Sequence, residues 1–276
     1  MLNLSPDFID RIIAVHGQIG QKWLKSLPEL QEKLAQRWSL SDIQAIQDLS
    51  YNYIAFASTP ENRSAVLKIG VPHQELETEI QALRVFNGDG TVQLLKADPS
   101  QGAMLLERIL PGDDLRTIPD DNKATRIAAH LMQQVWKPVP PELNFPTSAD
   151  WCQAFQRYLS RYPKVGPLPD NLVKDAAALT SELLKSPLNN YLLHGDLHHM
   201  NILLGENDNW IAIDPKGVIG EEAFEVGALL LNPVSELLDW PDLKKVQKRR
   251  LMIRVPDELK QLEELKRENK QKEETP

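Results

Sequence analysis

The residues best suited to chemistry lie together in the segment YLLHGDLHHMNILL, which runs from Tyr191 to Leu204. Three histidines, an aspartate and an asparagine stand there between two apolar runs. Two interpretations compete. His194, His198 and His199 could be metal ligands, because HxxxH spacing places two imidazoles on one helical face. Alternatively, acidic and amide side chains carry the chemistry and the histidines support them.

The metal interpretation is the weaker one on the sequence. A zinc site usually has a third strong ligand, and paired histidines of this spacing belong on a helix. Here a glycine stands at position 195 and the flanking residues are typical of strands. The chain has one cysteine, Cys152, and it is far from this segment.

The second interpretation rests on three oxygen-bearing side chains. Asn201 follows Asp196 by five residues, and Asp214 follows thirteen residues later, at the end of the strand-like run IAID. Phosphoryl transfer from ATP needs a carboxylate that orients the acceptor hydroxyl and oxygen ligands that hold magnesium against the phosphates. The pattern HGD-x4-N-x12-D is typical of a kinase catalytic loop and its metal-binding aspartate.

Composition narrows the classes of partner. The 276 residues carry a net charge of −8, which argues against nucleic acid and favours a cationic ligand. A single cysteine fits a reducing cytosol. No apolar run reaches the roughly 18 residues that a membrane span needs. Asp7 and Asp10 interrupt the first apolar stretch, which is not typical of a secretory signal. We therefore expect a soluble, cytoplasmic protein with no membrane partner.

The elements that must position the motif follow from periodicity. Helical spacing covers residues 5–38, with Pro28 beginning a second segment, and strand-like runs fill residues 41–70. A helix over 72–86, two strands (TVQLLKAD and AMLLERIL) and helices near 119–136, 148–161 and 169–186 come next. The hairpin NILL…NWIAID, turned by GEND, carries the motif. This order predicts an α+β fold with a strand-rich half and a helix-rich half.

The chain resembles the aminoglycoside and hydroxyurea phosphotransferase family of the streptomycin kinase type, within the protein-kinase-like fold. The matching stretches lie between about residues 49 and 233: LSYNYIAFA, AVLKIG, ELETEIQAL, GAMLLERILPG, LLHGDLHHMNILL and IAIDPKGVIGEEAFEVGALLLNP. The resemblance implies a two-lobed α+β fold. We divide it into a helical N-terminal extension (1–40), an antiparallel N-lobe (41–110), a helical C-lobe (111–256) and a charged tail (257–276).

The resemblance also implies roles for the motif and the cofactors ATP and Mg2+. Asp196 becomes the catalytic base, while Asn201 and Asp214 become the magnesium ligands. His194 is expected to shape the catalytic loop through hydrogen bonds rather than to transfer protons. Packing roles are expected for His198 and His199.

The nucleotide-binding residues follow from the same resemblance. Lys68 is expected to contact the ATP phosphates, paired with Glu79, although Glu75 and Glu77 remain alternatives. Glu107 and Ile109, in the interlobe hinge MLLERI, are expected to present their backbone to adenine. The loop LSYNYIAFA has no glycine, so backbone amides of Ser50, Tyr51 and Asn52 are expected to cover the phosphates.

The acceptor is implied less directly. By resemblance it is a small, cationic aminoglycoside such as streptomycin, and Glu221, Glu222 and Glu225 are the candidate carboxylates for it. Two alternatives stay open: a kinase of another small metabolite, and a nucleotide-binding module without transfer activity. Twelve of the last twenty residues are charged. This composition leads to the hypothesis of a loose tail and an altered acceptor side of the C-lobe.

Overall fold

The structure is a computed structural model, and it describes residues 2–163, 166–185, 190–233, 240 and 242–254. Within these residues the chain forms an antiparallel sheet covered by helices, followed by a mainly helical lobe. The α+β class and the order of the two lobes are as predicted. No helix in the described part of the chain is long and apolar enough to cross a membrane.

The N-lobe is built on one five-stranded antiparallel sheet. Its elements are α1 (Pro6–Trp38), β1 (Ser41–Ala45), β2 (Tyr53–Ser58), β3 (Ser64–Ile69), α2 (Gln74–Phe86), β4 (Leu94–Asp98) and β5 (Ala103–Glu107). The strand order is β1-β2-β3-β5-β4. Because alternate residues of a strand face opposite sides, Leu67 packs in the core on the α1 side, while Val66 and Lys68 face α2.

Helix α1 is the second layer of this lobe. The Ser5 hydroxyl accepts a hydrogen bond from the Phe8 amide, and Pro6 occupies the first turn, so the helix begins as predicted. The helix continues through Pro28, where a second segment was expected to begin. Its interruption lies instead at Gly17, whose φ of 56° is open to glycine. The buried apolar face of α1 packs on the sheet, so the expected N-terminal extension contributes to the N-lobe core.

The C-lobe holds the histidine-containing segment 191–204 among its short strands. Its elements are α3 (Asp121–Val135), β6 (Lys137–Pro138), α4 (Ser148–Arg161), α5 (Asp170–Leu183), β7 (Tyr191–Leu193), β8 (Ile202–Leu204), β9 (Trp210–Ala212), β10 (Val218–Gly220), α6 (Glu222–Leu230) and α7 (Leu243–Arg254). Strands β8 and β9 form the predicted hairpin. Leu131 and Met132 of α3 pack in one hydrophobic core with Leu197 and Ile202. The segment is therefore packed against α3.

A buried arginine fixes the last described helix. Arg250 is 1% exposed; it donates to both oxygens of Asp121 and to the carbonyls of Leu229 and Asn232. These bonds join α7 to α3 and to the end of α6. The charged tail (257–276), and with it the hypothesis about the acceptor side of the lobe, lies outside the described residues.

Candidate active site

The catalytic loop follows β7 directly and is shaped by a buried histidine. His194 donates through Nε2 to the Ile213 carbonyl (2.8 Å), and its Nδ1 accepts from the Asp196 amide (3.2 Å). Burial lowers the pKa of His194 to about 4, so the ring is neutral and can donate and accept at once. Gly195 has φ +85°, and a side chain there would meet Val218. The histidine therefore links the loop to the strand end that carries Asp214.

The carboxylate of Glu225, from α6, accepts hydrogen bonds from the backbone of the same loop. Glu225 is 1% exposed, and it accepts from the amides of Gly195 (3.0 Å) and Leu197 (3.4 Å). Glu225 was expected to contact the acceptor, but the structure buries it against the loop. Its oxygens are directed to loop amides, so it positions the catalytic loop. The sequence carried one signal of this role, because Glu225 is an acid inside the apolar run AFEVGALLL.

Asp196 lies at the centre of the loop among charged neighbours. Burial raises the pKa of Asp196 above its usual range, against the opposing effect of His198 and Lys216. The His198 Nε2 atom is 3.7 Å from the Asp196 carboxylate, and the Asn201 amide donates to the Asp196 carbonyl at 2.9 Å. The loop thus holds its carboxylate and its asparagine in a fixed relation.

The lysine of β3 meets two carboxylates from different elements. The Lys68 ammonium is 2.6 Å from Glu79 of α2 and 3.1 Å from Asp214. Burial alone would lower the pKa of Lys68, but Asp214 and Glu79 outweigh it and hold the pKa above its usual range. Of the three glutamates considered for this lysine, Glu79 makes the contact. Glu77 is exposed, and Glu75 pairs with Lys216.

A cavity of about 440 Å³ opens over this set of charges. The predicted loop residues Ser50, Tyr51 and Asn52 form one side of it, and Lys68 and Asp214 lie within its lining. Helix α1 holds the glycine-free loop, because Arg11 donates to the Leu49 carbonyl at 2.8 Å. A bond from another element therefore helps to hold the start of this loop.

Five further residues of this lining, Leu76 of α2 among them, were missed by sequence reasoning. Val15 and His16 reach the cavity from α1 beside the break at Gly17, and His73 and Lys216 complete the rim. The rings of His16 and His73 meet edge to face with centroids 5.4 Å apart. Val15, His16 and His73 are distant in sequence from the motif, so no spacing indicated them, whereas Lys216 stands two residues after Asp214.

The interlobe connection begins where β5 ends. The Glu107 amide donates to the Gln93 carbonyl (3.0 Å), and its side chain accepts from the Gln93 amide (2.8 Å). The amide and one carboxylate oxygen of Glu107 are therefore already bonded to Gln93. The Ile109 side chain packs with Ile211 and Ile213 in an apolar cluster beneath the sheet.

The donor atoms near the loop suit a hard cation. Asn201 uses its amide nitrogen on Asp196, and Asp214 adopts a left-handed backbone (φ 58°) with one oxygen on Lys68. Amide and carboxylate oxygens are the ligands that magnesium prefers. Across the described residues, no cluster of three histidine, cysteine or acidic side chains has the arrangement of a metal site.

A second cavity, of about 590 Å³, adjoins the first, and both have Glu75 and Lys216 in their lining. Asp150 and Trp151 of α4 also line it. Glu221 and Glu222 begin α6 and are half-buried, outside the lining of both cavities. Phe224 of the same helix contacts Trp151, with ring centroids 6.0 Å apart.

Comparison with known proteins gives matches along most of the chain. The sequence model of the family described as aminoglycoside/hydroxyurea antibiotic resistance kinase matches residues 37–261. Streptomycin 6-kinase of Streptomyces glaucescens is 31% identical over 236 residues, which are 85% of this chain and 76% of that protein.

Solved structures are similar in fold at low identity. Choline kinase LicA from Streptococcus pneumoniae has a TM-score of 0.61 at 16% identity, covering 84% of this chain and 81% of that one. Aminoglycoside phosphotransferase APH(4)-Ia, in a ternary complex with ADP and hygromycin B, has a TM-score of 0.57 at 15% identity, covering 82% of each chain. Both are phosphotransferases of the protein-kinase-like fold.

Proposed function

The chain belongs to the aminoglycoside/hydroxyurea antibiotic resistance kinase family, a family of small-molecule phosphotransferases, and on that premise we propose that it phosphorylates a hydroxyl of streptomycin or a related aminoglycoside with ATP. The observation that carries the proposal is that Lys68 meets Glu79 and Asp214 in the lining of one cavity. Asn201 bonds to Asp196, and its backbone carbonyl accepts from the amide of Ile213, the residue before Asp214. ADP bound to a phosphotransferase of the same fold supports the choice of nucleotide.

In this proposal the nucleotide phosphates occupy the 440 Å³ cavity, where Lys68 contacts them while Glu79 holds the lysine in place. The amides of Ser50, Tyr51 and Asn52 cover the phosphates. Adenine lies against the interlobe connection, using the Glu107 carbonyl and the backbone of Ile109. Asn201 and Asp214 would hold Mg2+, which when bound neutralises phosphate charge.

Asp196 orients the acceptor hydroxyl and receives its proton. The bond between the γ-phosphorus and its bridging oxygen breaks, a bond from phosphorus to the acceptor oxygen forms, and ADP leaves. The raised pKa of Asp196 favours this role, because a carboxylate of ordinary acidity is a weaker base. Most of the rate gain comes from positioning and electrostatic stabilisation.

The acceptor is proposed to approach from the 590 Å³ cavity. Glu75, Asp150 and the ring of Trp151 line it, and carboxylates and aromatic faces bind guanidinium and ammonium groups. Glu221 and Glu222 remain candidate contacts for the acceptor, because Phe224 of their helix packs on Trp151. The net charge of −8 also favours a cationic acceptor.

The test is magnesium-dependent ADP release by the purified protein with no acceptor, with streptomycin and with hydroxyurea. Stimulation by streptomycin that disappears in Asp196→Asn, but persists in the exposed control Asp208→Asn, supports the proposal. Stimulation by hydroxyurea alone assigns a different acceptor. ATP binding with no release under any condition favours a binding module without transfer activity and contradicts the proposal.

A further inference from the structure

Lys216 lies in the wall that the two cavities share. It follows Asp214 by two residues, and it lines the cavity of Lys68 and Asp214 as well as the cavity of Asp150 and Trp151. We propose that Lys216 exchanges its partner Glu75 for the γ-phosphate of the bound nucleotide and holds that group during transfer. This inference rests on the proposed function and adds a phosphate-binding residue to the same site.

The two lysines of the nucleotide cavity differ in burial and in the number of carboxylates that they contact. Lys68 is buried and contacts two carboxylates, so its charge is already balanced inside the N-lobe. Lys216 has a side chain that is 34% exposed, and its ion-pair partner Glu75 is 53% exposed. Exposed ion pairs contribute little to stability, so this pair can open at small cost. Lys68 would therefore contact the phosphates from a fixed position, whereas Lys216 can leave its partner and move to the γ-phosphate.

Glu75 is the ion-pair partner of Lys216 and would compete with the phosphate for its ammonium group. Its contact with His73, together with the bond from Lys216, lowers the pKa of Glu75 to about 2, so it is fully ionised at neutral pH. A terminal phosphate offers several charged oxygens where the carboxylate offers two, and charge-assisted bonds to such groups are the stronger ones. The nucleotide therefore competes well for the lysine.

The backbone of Lys216 is fixed although its side chain is not. The amides of Lys216 (2.7 Å) and Gly217 (3.1 Å) both donate to the His194 carbonyl, which adjoins the catalytic loop. Lys216 and Asp214 both line the 440 Å³ cavity, and the charge of Lys216 acts to lower the pKa of both Asp196 and Asp214. Lys216 neither gives nor takes a proton in the reaction; it only balances charge on the moving group.

The experiment compares two nucleotides that differ in the γ-phosphate. Dissociation constants for AMP-PNP and ADP, each with magnesium, are measured by calorimetry for the wild type, Lys216→Met, Lys216→Arg and Glu75→Gln. Lys216→Met is expected to weaken AMP-PNP about tenfold or more, because a hydrogen bond to a charged group is lost. ADP affinity should change by less than about threefold, and Lys216→Arg should restore most of the AMP-PNP affinity.

Glu75→Gln is the matched control, because it breaks the same ion pair from the other side. If Lys216 binds the γ-phosphate, the released lysine is free for it, and AMP-PNP should bind as tightly as before or more tightly. Thermal unfolding of each variant verifies that the exposed substitutions leave the fold intact. Turnover gives a second readout: Lys216→Met should lower kcat with the acceptor KM unchanged.

Three results would overturn the inference: equal weakening of AMP-PNP and ADP in Lys216→Met, no weakening of either, or the same loss in Glu75→Gln as in Lys216→Met. The last would mean that the ion pair itself organises the site. Each of these leaves the proposed function standing, because wild-type binding is retained. A wild type that binds neither nucleotide would instead contradict the proposed function.

Discussion

The carboxylate of Glu225 accepts a hydrogen bond from the amide of Gly195 at 3.0 Å, across thirty residues of sequence. Gly195 adjoins Asp196, so an acid buried at the start of α6 sets the backbone from which that carboxylate projects. The same glutamate accepts from Leu197 on the other side of Asp196. Helix α6 and the catalytic loop therefore form one unit.

Glu225→Gln should weaken both stability and turnover. An amide side chain loses the charge and can turn a donor toward the loop amides, leaving one of them unpaired. We expect the free energy of unfolding to fall by about 2 kcal/mol and kcat to fall about tenfold or more. Chemical denaturation and steady-state kinetics measure the two effects. Glu206→Gln, an exposed acid on the hairpin turn, is the control and should change neither. Normal kcat in Glu225→Gln would contradict the positioning role.

The pair of Lys68 and Glu79 allows a double-mutant cycle. Lys68→Met leaves two carboxylates without their cation, and we expect the free energy of unfolding to fall by about 3 kcal/mol. Adding Glu79→Leu should recover part of that stability, because the uncompensated acid is removed together with its partner. Activity should not recover, because the lysine proposed to contact the phosphates is still absent. Additive losses in the double mutant would argue against coupling of the pair.

The sequence could predict the parts of this site that are close in sequence or held by one strand. Asp196, Asn201 and Asp214 lie on a loop and hairpin of nineteen residues, so spacing alone brings them together. Alternation along β3 directs Lys68 to α2, and α2 offers only a few glutamates. For these positions, the loop length and the alternation of the strand are enough to predict which residues lie close together.

The remainder depends on contacts that spacing does not encode. Glu75 and Lys216 are 141 residues apart in sequence and form an ion pair. Helix α1 contributes to the cavity next to a break at Gly17, whereas the sequence predicted a break at Pro28. Helical periodicity correctly predicted a helix over residues 5–38. It did not predict that this helix would pack on the N-lobe sheet. Glu225 was expected to contact the acceptor, because periodicity alone does not separate a buried acid with amide partners from one that faces a ligand or solvent.

Arg250 and Arg249 offer a matched pair of substitutions on α7. Both bind Asp121, but Arg250 is buried and also holds two carbonyls, while the Arg249 side chain is 42% exposed. Arg250→Ala should lower the free energy of unfolding by about 3 kcal/mol or more, since it leaves buried acceptors unpaired. Arg249→Ala should cost about 1 kcal/mol at most. Denaturant unfolding of both variants measures this, and equal losses would show that α7 is not anchored through Arg250.

Acid should destabilise the protein through two buried histidines. Burial lowers the pKa of His194 and of His199 to about 4, from an ordinary value near 6.5. Between about pH 4 and pH 6.5, these two histidines are protonated in the unfolded chain and neutral in the folded chain. The contribution of these two histidines to the free energy of unfolding is therefore largest above pH 6.5, falls as pH drops and is lost below about pH 4. Linkage gives roughly 3 kcal/mol for each histidine over this range.

His199→Gln removes one of these two titrations without touching the bonds of His194. Its unfolding free energy should fall less steeply than that of the wild type between pH 6.5 and 4, whatever its value at pH 7. His130→Gln, at an exposed histidine of α3, should keep the wild-type slope. Denaturant unfolding at half-unit intervals of pH measures all three slopes. A wild-type slope in His199→Gln would mean that His199 is protonated as readily in the folded chain as in the unfolded one.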